Sequence, residues 1–425
     1  MLMKTISYDT FFEVLNDPNY ILVDSRNNQF YNGFAHKNVT RGGHIPNAIQ
    51  FNVDWLPHIT PSKFVTFADD KGLDKSKILI IYDIDLFRAT DLGKSLLLYG
   101  YRVLIFPHFL QYIQSNQPLA SFPNFQYSVS AEWLNHLLTD KIFKTNDHQD
   151  FMLFHVSWGK REDSEDYKSH IPTAYYFNTD WIESGPIWNL LAAEEIRKNL
   201  LDNGITQDKS IILYSTNQLA AYRIFWVLLW AGVKDVRVLD GNFSAWLSLG
   251  FEIEGKVNYP MKENDFGGMI PLNPHFNIST PADILYLQQQ GLKLVSNRSW
   301  REYIGQTSGY AYIQRKGEPM DAIWGFAGTD ASNMNDYFSP DGTLRNPDEI
   351  FQLWEEQGIQ KDDFLAFYCG TGWRASIAWF ITQLAGWEKT AVYDGSWNAW
   401  QMDERLPLKN ESIQSKKPNA RNDFK

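Results

Sequence analysis

One residue in this chain has the chemistry of a strong sulfur nucleophile, and it occurs once: Cys369. It stands in Cys369-Gly370-Thr371-Gly372-Trp373-Arg374, after the apolar run Phe364–Tyr368 and before the apolar, helix-like run Ala375–Leu384. A buried strand that passes into a helix through such a loop can curl its peptide N–H groups inward, the two glycines allowing it, and so form a nest for an anion. A thiol in that nest meets converging N–H dipoles, the positive end of the following helix and the Arg374 cation, all of which favour thiolate. Cysteine pKa values at helix N-termini fall to about 3.5–7.5, so nucleophilic attack near neutral pH is the expected chemistry. A lone cysteine otherwise reads as a small buried hydrophobe. The loop overturns that reading.

Other chemistry-bearing residues are weaker. A single cysteine excludes an intramolecular disulfide and a cysteine-rich zinc site. His44 and His170 occupy matching loops of separate repeats and do not converge, so no metal is expected, and no cofactor is called for. Ser215 lacks an activating base. Tryptophans such as Trp246 and Trp400 recur at equivalent places and suit core packing, whereas Trp373 sits inside the anion loop and is expected to wall the donor site.

The elements that must position Cys369 recur three times. Each copy opens on Ile/Val-Ser before an amphipathic helix: Ile6-Ser7, Val129-Ser130 and Ile278-Ser279, where Ser or Thr280 can cap the first turn. A strand follows (Ile21–Asp24, Met152–His155, Leu294–Ser296), then a loop reading Gly43-His44-Ile45-Pro46-Asn47-Ala48, Ser169-His170-Ile171-Pro172-Thr173-Ala174, or only Gly317-Glu318-Pro319-Met320-Asp321-Ala322. A second buried strand ends on Tyr82, Tyr214 or Tyr368, and a short loop and a long apolar helix follow it. A last strand closes each unit near Phe106, Asp240 and Asp394. Continuous apolar strands alternating with helices imply crossover units, hence an α/β fold: three tandem domains, each a mostly parallel sheet with helices on both faces. The expected spans are 1–125, 126–267 and 268–410, with a polar tail over 411–425.

With 44% hydrophobic and 21% charged residues the chain has material for packed cores, and a net charge of −11 argues against gripping nucleic acid. No apolar run reaches the ~18–20 residues that cross a bilayer. Met1-Leu2-Met3-Lys4 runs directly into polar sequence. The expected location is therefore cytoplasmic for the sequence as written, or periplasmic if a leader was removed.

Cys-x-x-Gly-x-Arg after a buried strand resembles the active-site loop of rhodanese domains, and Gly-His-Ile-Pro-x-Ala resembles their first-half signature. The likeness covers nearly the whole chain. Cys369-Gly370-Thr371-Gly372-Trp373-Arg374, with Tyr303–Tyr310 upstream, is most similar to bacterial three-domain thiosulfate sulfurtransferases. The resemblance implies one catalytic domain and two degenerate ones. It implies a sulfurtransferase in which Cys369 takes the outer sulfur of thiosulfate, releases sulfite and holds a persulfide until cyanide, a thiol or dithiol, or a sulfur-accepting protein removes it. Alternatives are 3-mercaptopyruvate as donor, or a relay protein without turnover. Gly370, Thr371, Gly372, Trp373, Arg374 and Arg298 would bind the small anionic donor.

Departures from the pattern accompany the likeness. Asp24-Ser25-Arg26 becomes Ser296-Asn297-Arg298 in the third copy, and Glu302 stands where two-domain members can carry a second arginine. Asp83 and Ser215 occupy the nucleophile's place in the first two copies, and no transfer is expected there. A phosphatase would need a cradle one residue longer.

Overall fold

The computed structural model describes residues 3–37, 39–139, 151–409 and 418. The expected tail over 411–425 therefore lies outside the described residues, Pro418 apart. The chain folds as two compact units: Met1–Gln126 with Ser339–Asn346, and the rest of the described chain from Tyr127.

The first unit carries a parallel sheet of β1 (Tyr20–Asp24), β2 (Ile49–Gln50), β3 (Ile78–Tyr82) and β4 (Arg102–Phe106), in the order β2-β1-β3-β4. An added bridge from Thr5 runs parallel to Ile105 at the outer edge. In the second unit the first sheet is built from β5 (Ser128–Val129), β6 (Phe151–Ser157), β7 (Tyr175–Asn178), β10 (Ser210–Ser215) and β11 (Asp235–Leu239), in the order β5-β11-β10-β6-β7. Between β7 and β10 lies a small antiparallel ribbon, β8 (Glu183–Ser184) with β9 (Asn189–Leu190). The second sheet repeats the order as β12-β16-β15-β13-β14, from β12 (Asn277–Ile278), β13 (Lys293–Ser296), β14 (Ile323–Trp324), β15 (Leu365–Tyr368) and β16 (Thr390–Tyr393). One strand order thus occurs three times, with the opening strand of the first copy reduced to a bridge.

The central strands are apolar throughout because both faces of each sheet are covered. The four residues of β15 are all buried, as are the last four of β3 and the last five of β10. After these strands come α1 (Leu86–Leu98), α2 (Ala220–Ala231) and, beyond the short α3 (Trp300–Tyr303), α4 (Trp373–Leu384). The last of them begins two residues before its apolar run Ala375–Leu384 suggests. A helix that is apolar on every side must be enclosed. Every residue of α2 is buried, and all but two of α4 are. The two helices pack on each other through rings, Phe225 to Phe380 at 4.8 Å and Tyr222 to Phe380 at 4.9 Å between centroids.

The strand-end tyrosines have a common task. Tyr82 accepts the N–H of Ile45 at 2.9 Å and Tyr214 that of Ile171 at 3.0 Å, so each fixes its Ile-Pro loop above the sheet. His44 and His170 each place Nδ1 on a tyrosine carbonyl, at 2.8 and 2.9 Å, and stack on that tyrosine's ring. Among the described residues no group of His, Cys, Asp and Glu is arranged to hold a metal, and no helix is long and apolar enough to cross a membrane. In the third copy Tyr368 instead donates to Glu318.

Candidate functional site

Strand β15 delivers Cys369 to the carboxyl edge of the third sheet, where ligands of open α/β sheets sit. The Cys369 and Gly370 carbonyls are turned outward and held by the N–H groups of Trp397 and Asn398, both at 3.0 Å, at the start of α5 (Ser396–Gln401). The Cys369 N–H reaches Ser396 Oγ at 3.3 Å. With the carbonyls fixed away, the N–H groups of Gly370, Thr371 and Gly372 meet no acceptor among the described residues. Gly372 adopts φ +91°, the left-handed region that turns the loop into α4. Gly370 is glycine for a different reason: a Cβ there would lie 2.0 Å from the Tyr310 ring. Cys369 itself is fully buried, in electrostatic reach of Tyr310, Tyr312 and Arg374.

Both arginines expected to meet the donor are already engaged. Arg374 is buried and forms a two-pronged pair with Glu302, at 2.8 and 2.9 Å. Burial alone would raise the Glu302 carboxyl, but Arg374, Arg298 and the Ser299 hydroxyl bring it down to about 2. Arg298 pairs with Glu318 at 2.5 Å, donates to the Gly317 and Ser308 carbonyls, and lies over the Trp397 ring. The reason is the departure noted in the sequence: Glu302, a carboxylate where a cation can stand, draws both guanidinium groups inward. Both charges are thus paired with buried carboxylates, and neither arginine is among the residues that line the cleft beside the loop.

Above the loop lies a cleft of about 740 Å³ whose walls come from both sheets of the second unit. Trp158, Trp188, Tyr310, Tyr312 and Trp373 give it an aromatic lining, Glu183 and Asp330 add carboxylates, and among the described residues no lysine or arginine lines it. Trp373 does stand in the wall, and its Nε1 donates to Glu183 Oε1 at 2.7 Å. Glu183 is held by Arg223 Nε at 3.0 Å, and Arg223 reaches on to Asp394 at 2.6 Å. Tyr310 is anchored by its hydroxyl to the Ala331 carbonyl at 3.1 Å.

Sequence reasoning missed Glu183, Trp188, Tyr312 and Asp330. The first two come from the ribbon β8–β9 and its Gly185-Pro186 turn. Tyr312 and Asp330 come from the long, mostly irregular stretch between α3 and Leu344. At these four residues neither segment shows hydrophobic periodicity, so no pattern marked them.

The other two loops end differently. Asp83 follows β3 as Cys369 follows β15, accepts from Ser25 Oγ at 2.9 Å and faces Arg88 at 3.4 Å. Ser215 donates to the Asn217 carbonyl at 2.7 Å and contacts Asn242 Oδ1 at 3.2 Å, so its proton is committed to neutral acceptors.

A family model for the rhodanese-like domain matches residues 131–249 and 285–403. The chain belongs to the rhodanese family. The family model does not extend over the first sheet, whose strand order the other two share. Among the relatives of this rhodanese is the thiosulfate sulfurtransferase YnjE of Escherichia coli K12, 34% identical over 399 residues that span 93% of this chain and 90% of YnjE. A probable 3-mercaptopyruvate sulfurtransferase of Pseudomonas aeruginosa is 28% identical, over 61% of this chain and 89% of the relative. The crystal structure of YnjE superimposes with a TM-score of 0.88 at 33% identity, over 96% of this chain and 97% of that one. Structures of EanB superimpose at TM-score 0.89 and 30% identity, covering 96% of this chain; one holds ergothioneine and covers 99% of EanB, another holds hercynine and covers 98%. The chain is a sulfurtransferase of this family.

Proposed function

We propose that sulfur passes through a persulfide on Cys369, taken from thiosulfate and given to a small acceptor in the aromatic cleft. The observation that carries this is the loop: the only thiol is followed directly by the N–H groups of Gly370, Thr371 and Gly372, which meet no acceptor among the described residues, at the start of a twelve-residue helix. Thiolate attack on the outer sulfur of thiosulfate forms the new S–S bond, breaks the old one and expels sulfite with the electron pair. The loop N–H groups then stabilise the anionic sulfur as an oxyanion hole would. Intact mass after thiosulfate treatment tests it: one added sulfur atom is expected, removed by cyanide, and Cys369→Ser gains none. An unchanged mass in the wild type would sink the reading.

A second reading concerns the acceptor. The EanB structures include a cysteine persulfide, a substituted tyrosine fifty-nine positions before that cysteine and a substituted threonine two positions after it. Cys369, Tyr310 and Thr371 have the same spacing. An aromatic cleft with carboxylates and no cation among its described lining suits a quaternary ammonium, as in hercynine, better than an anion. Loaded enzyme mixed with hercynine should lose its added sulfur and give a sulfur-bearing product by mass spectrometry. If hercynine leaves the persulfide intact while cyanide discharges it, this acceptor is wrong.

A further inference from the structure

Sulfur leaves a persulfide when an acceptor attacks its outer sulfur, and most acceptors carry a proton that must go first. The Cys369 loop carries no carboxylate or imidazole, so the base must come from elsewhere. Among the described residues five carboxylates at or near the site come into question, and four are unsuited. Glu302 is held near 2 by its arginines and sits beneath the loop. Glu318 is enclosed by Arg298 and Tyr368. Asp394 is not among the residues that line the cleft, and it gives one oxygen to Arg223 and the other to the Leu190 N–H at 2.7 Å. Asp330, at the rim, is held below the usual carboxylate range, chiefly by the Ser332 hydroxyl.

We propose that Glu183, carried by the middle domain, is the general base of the Cys369 cleft and takes the acceptor's proton as the acceptor attacks the persulfide. Its carboxylate lines the same cleft wall as Thr371 and Trp373. Arg223 holds one oxygen through Nε at 3.0 Å and Nη2 at 2.9 Å, whereas the other accepts only the Trp373 indole N–H and keeps a lone pair for a proton. The groups facing it are Arg223 and Asp394, with Tyr312 close enough to feel its charge. Burial raises the Glu183 carboxyl, Arg223 and Trp373 oppose, Asp394 adds, and the balance stands at about 7, matched to proton transfer at neutrality. With a thiol acceptor, Glu183 removes the S–H proton. The thiolate sulfur bonds to the outer persulfide sulfur, and the S–S bond to Cys369 breaks with its electron pair on Cys369. Glu183 then loses its proton to solvent through the open cleft.

This rests on the Cys369 persulfide reading, and the experiment separates the two. Full-length wild type, Glu183→Gln and Glu183→Asp are loaded with thiosulfate, loading is read by intact mass, and discharge to 2-mercaptoethanol is then followed from about pH 6 to about pH 9. Gln keeps the acceptor for the Trp373 indole and cannot take a proton. It should load sulfur as wild type does yet discharge roughly 100-fold more slowly near neutrality, the scale of general-base catalysis. Wild-type discharge should rise with pH and level off above a midpoint near 7, whereas the Gln variant should climb steadily as the acceptor ionises on its own. The Asp variant should retain the levelling. Equal discharge rates in wild type and Gln variant overturn the proposal. If the Gln variant does not fold, a wild-type rate that climbs without levelling overturns it. A wild type that never loads refutes the persulfide instead.

Discussion

Around Cys369 the charges pair off before any substrate arrives. Arg374 with Glu302 and Arg298 with Glu318 are two buried ion pairs, and breaking one member of such a pair leaves the other uncompensated. Arg374→Ala should therefore cost about 3–5 kcal/mol of folding stability, and combining it with Glu302→Gln should restore much of that. Denaturant unfolding of the two variants checks this. A stable Arg374→Ala protein with a large loss in thiosulfate turnover would instead place Arg374 on the donor. The pair also sets a pH limit. The Glu302 carboxyl is about 2 when folded against an ordinary 4.5, so its stabilisation is complete above about 4.5 and is lost as pH falls through about 2. Glu302→Gln should flatten the acid limb of stability in that window, as measured by unfolding midpoints between acid and neutral pH.

Elements carried most of what was legible. Tyrosine at the end of a buried strand, a short loop, then an apolar helix located Cys369, and the same order gave three α/β domains, because strand and helix formation depend on local apolar pattern. What pattern does not encode is the wall of the cleft. The ribbon at Glu183–Leu190 and the stretch holding Tyr310 and Asp330 are placed by side-chain hydrogen bonds and turns, which leave no periodic trace. The depletion of the other two loops was legible in residue identity alone. Asp83 is a buried carboxyl bonded to Ser25 and Arg88, and Ser215 is tied to Asn217 and Asn242. Asp83→Asn and Ser215→Ala should each leave turnover within a few-fold when assayed beside Cys369→Ser, which should abolish it.

At the scale of the molecule, the second unit joins the domain that carries Ser215 to the one that carries Cys369. Arg223 follows Ser215 by eight residues where Arg374 follows Cys369 by five, and it points across to Glu183 and Asp394, fully buried, with Nη1 unpartnered among the described residues and packed against Gly372 of the Cys369 loop. The middle domain's arginine thus holds a carboxylate of the neighbouring domain. Aromatic packing between α2 and α4 and the Asn398 amide on the Pro186 carbonyl at 2.8 Å close the same seam. Replacing Arg223 with Met keeps much of the packing volume but leaves two buried carboxyl groups without their cation. A loss of about 3–5 kcal/mol is expected in denaturant unfolding, because uncompensated buried charge costs more than the lost hydrogen bonds alone. Adding Glu183→Gln and Asp394→Asn removes those charges and should recover most of the loss, since a neutral seam of similar volume has no desolvation penalty to offset. If Arg223→Met alone is within ~0.5 kcal/mol of wild type, as an ordinary surface substitution would be, the seam is held by its rings and the ion network contributes little to it.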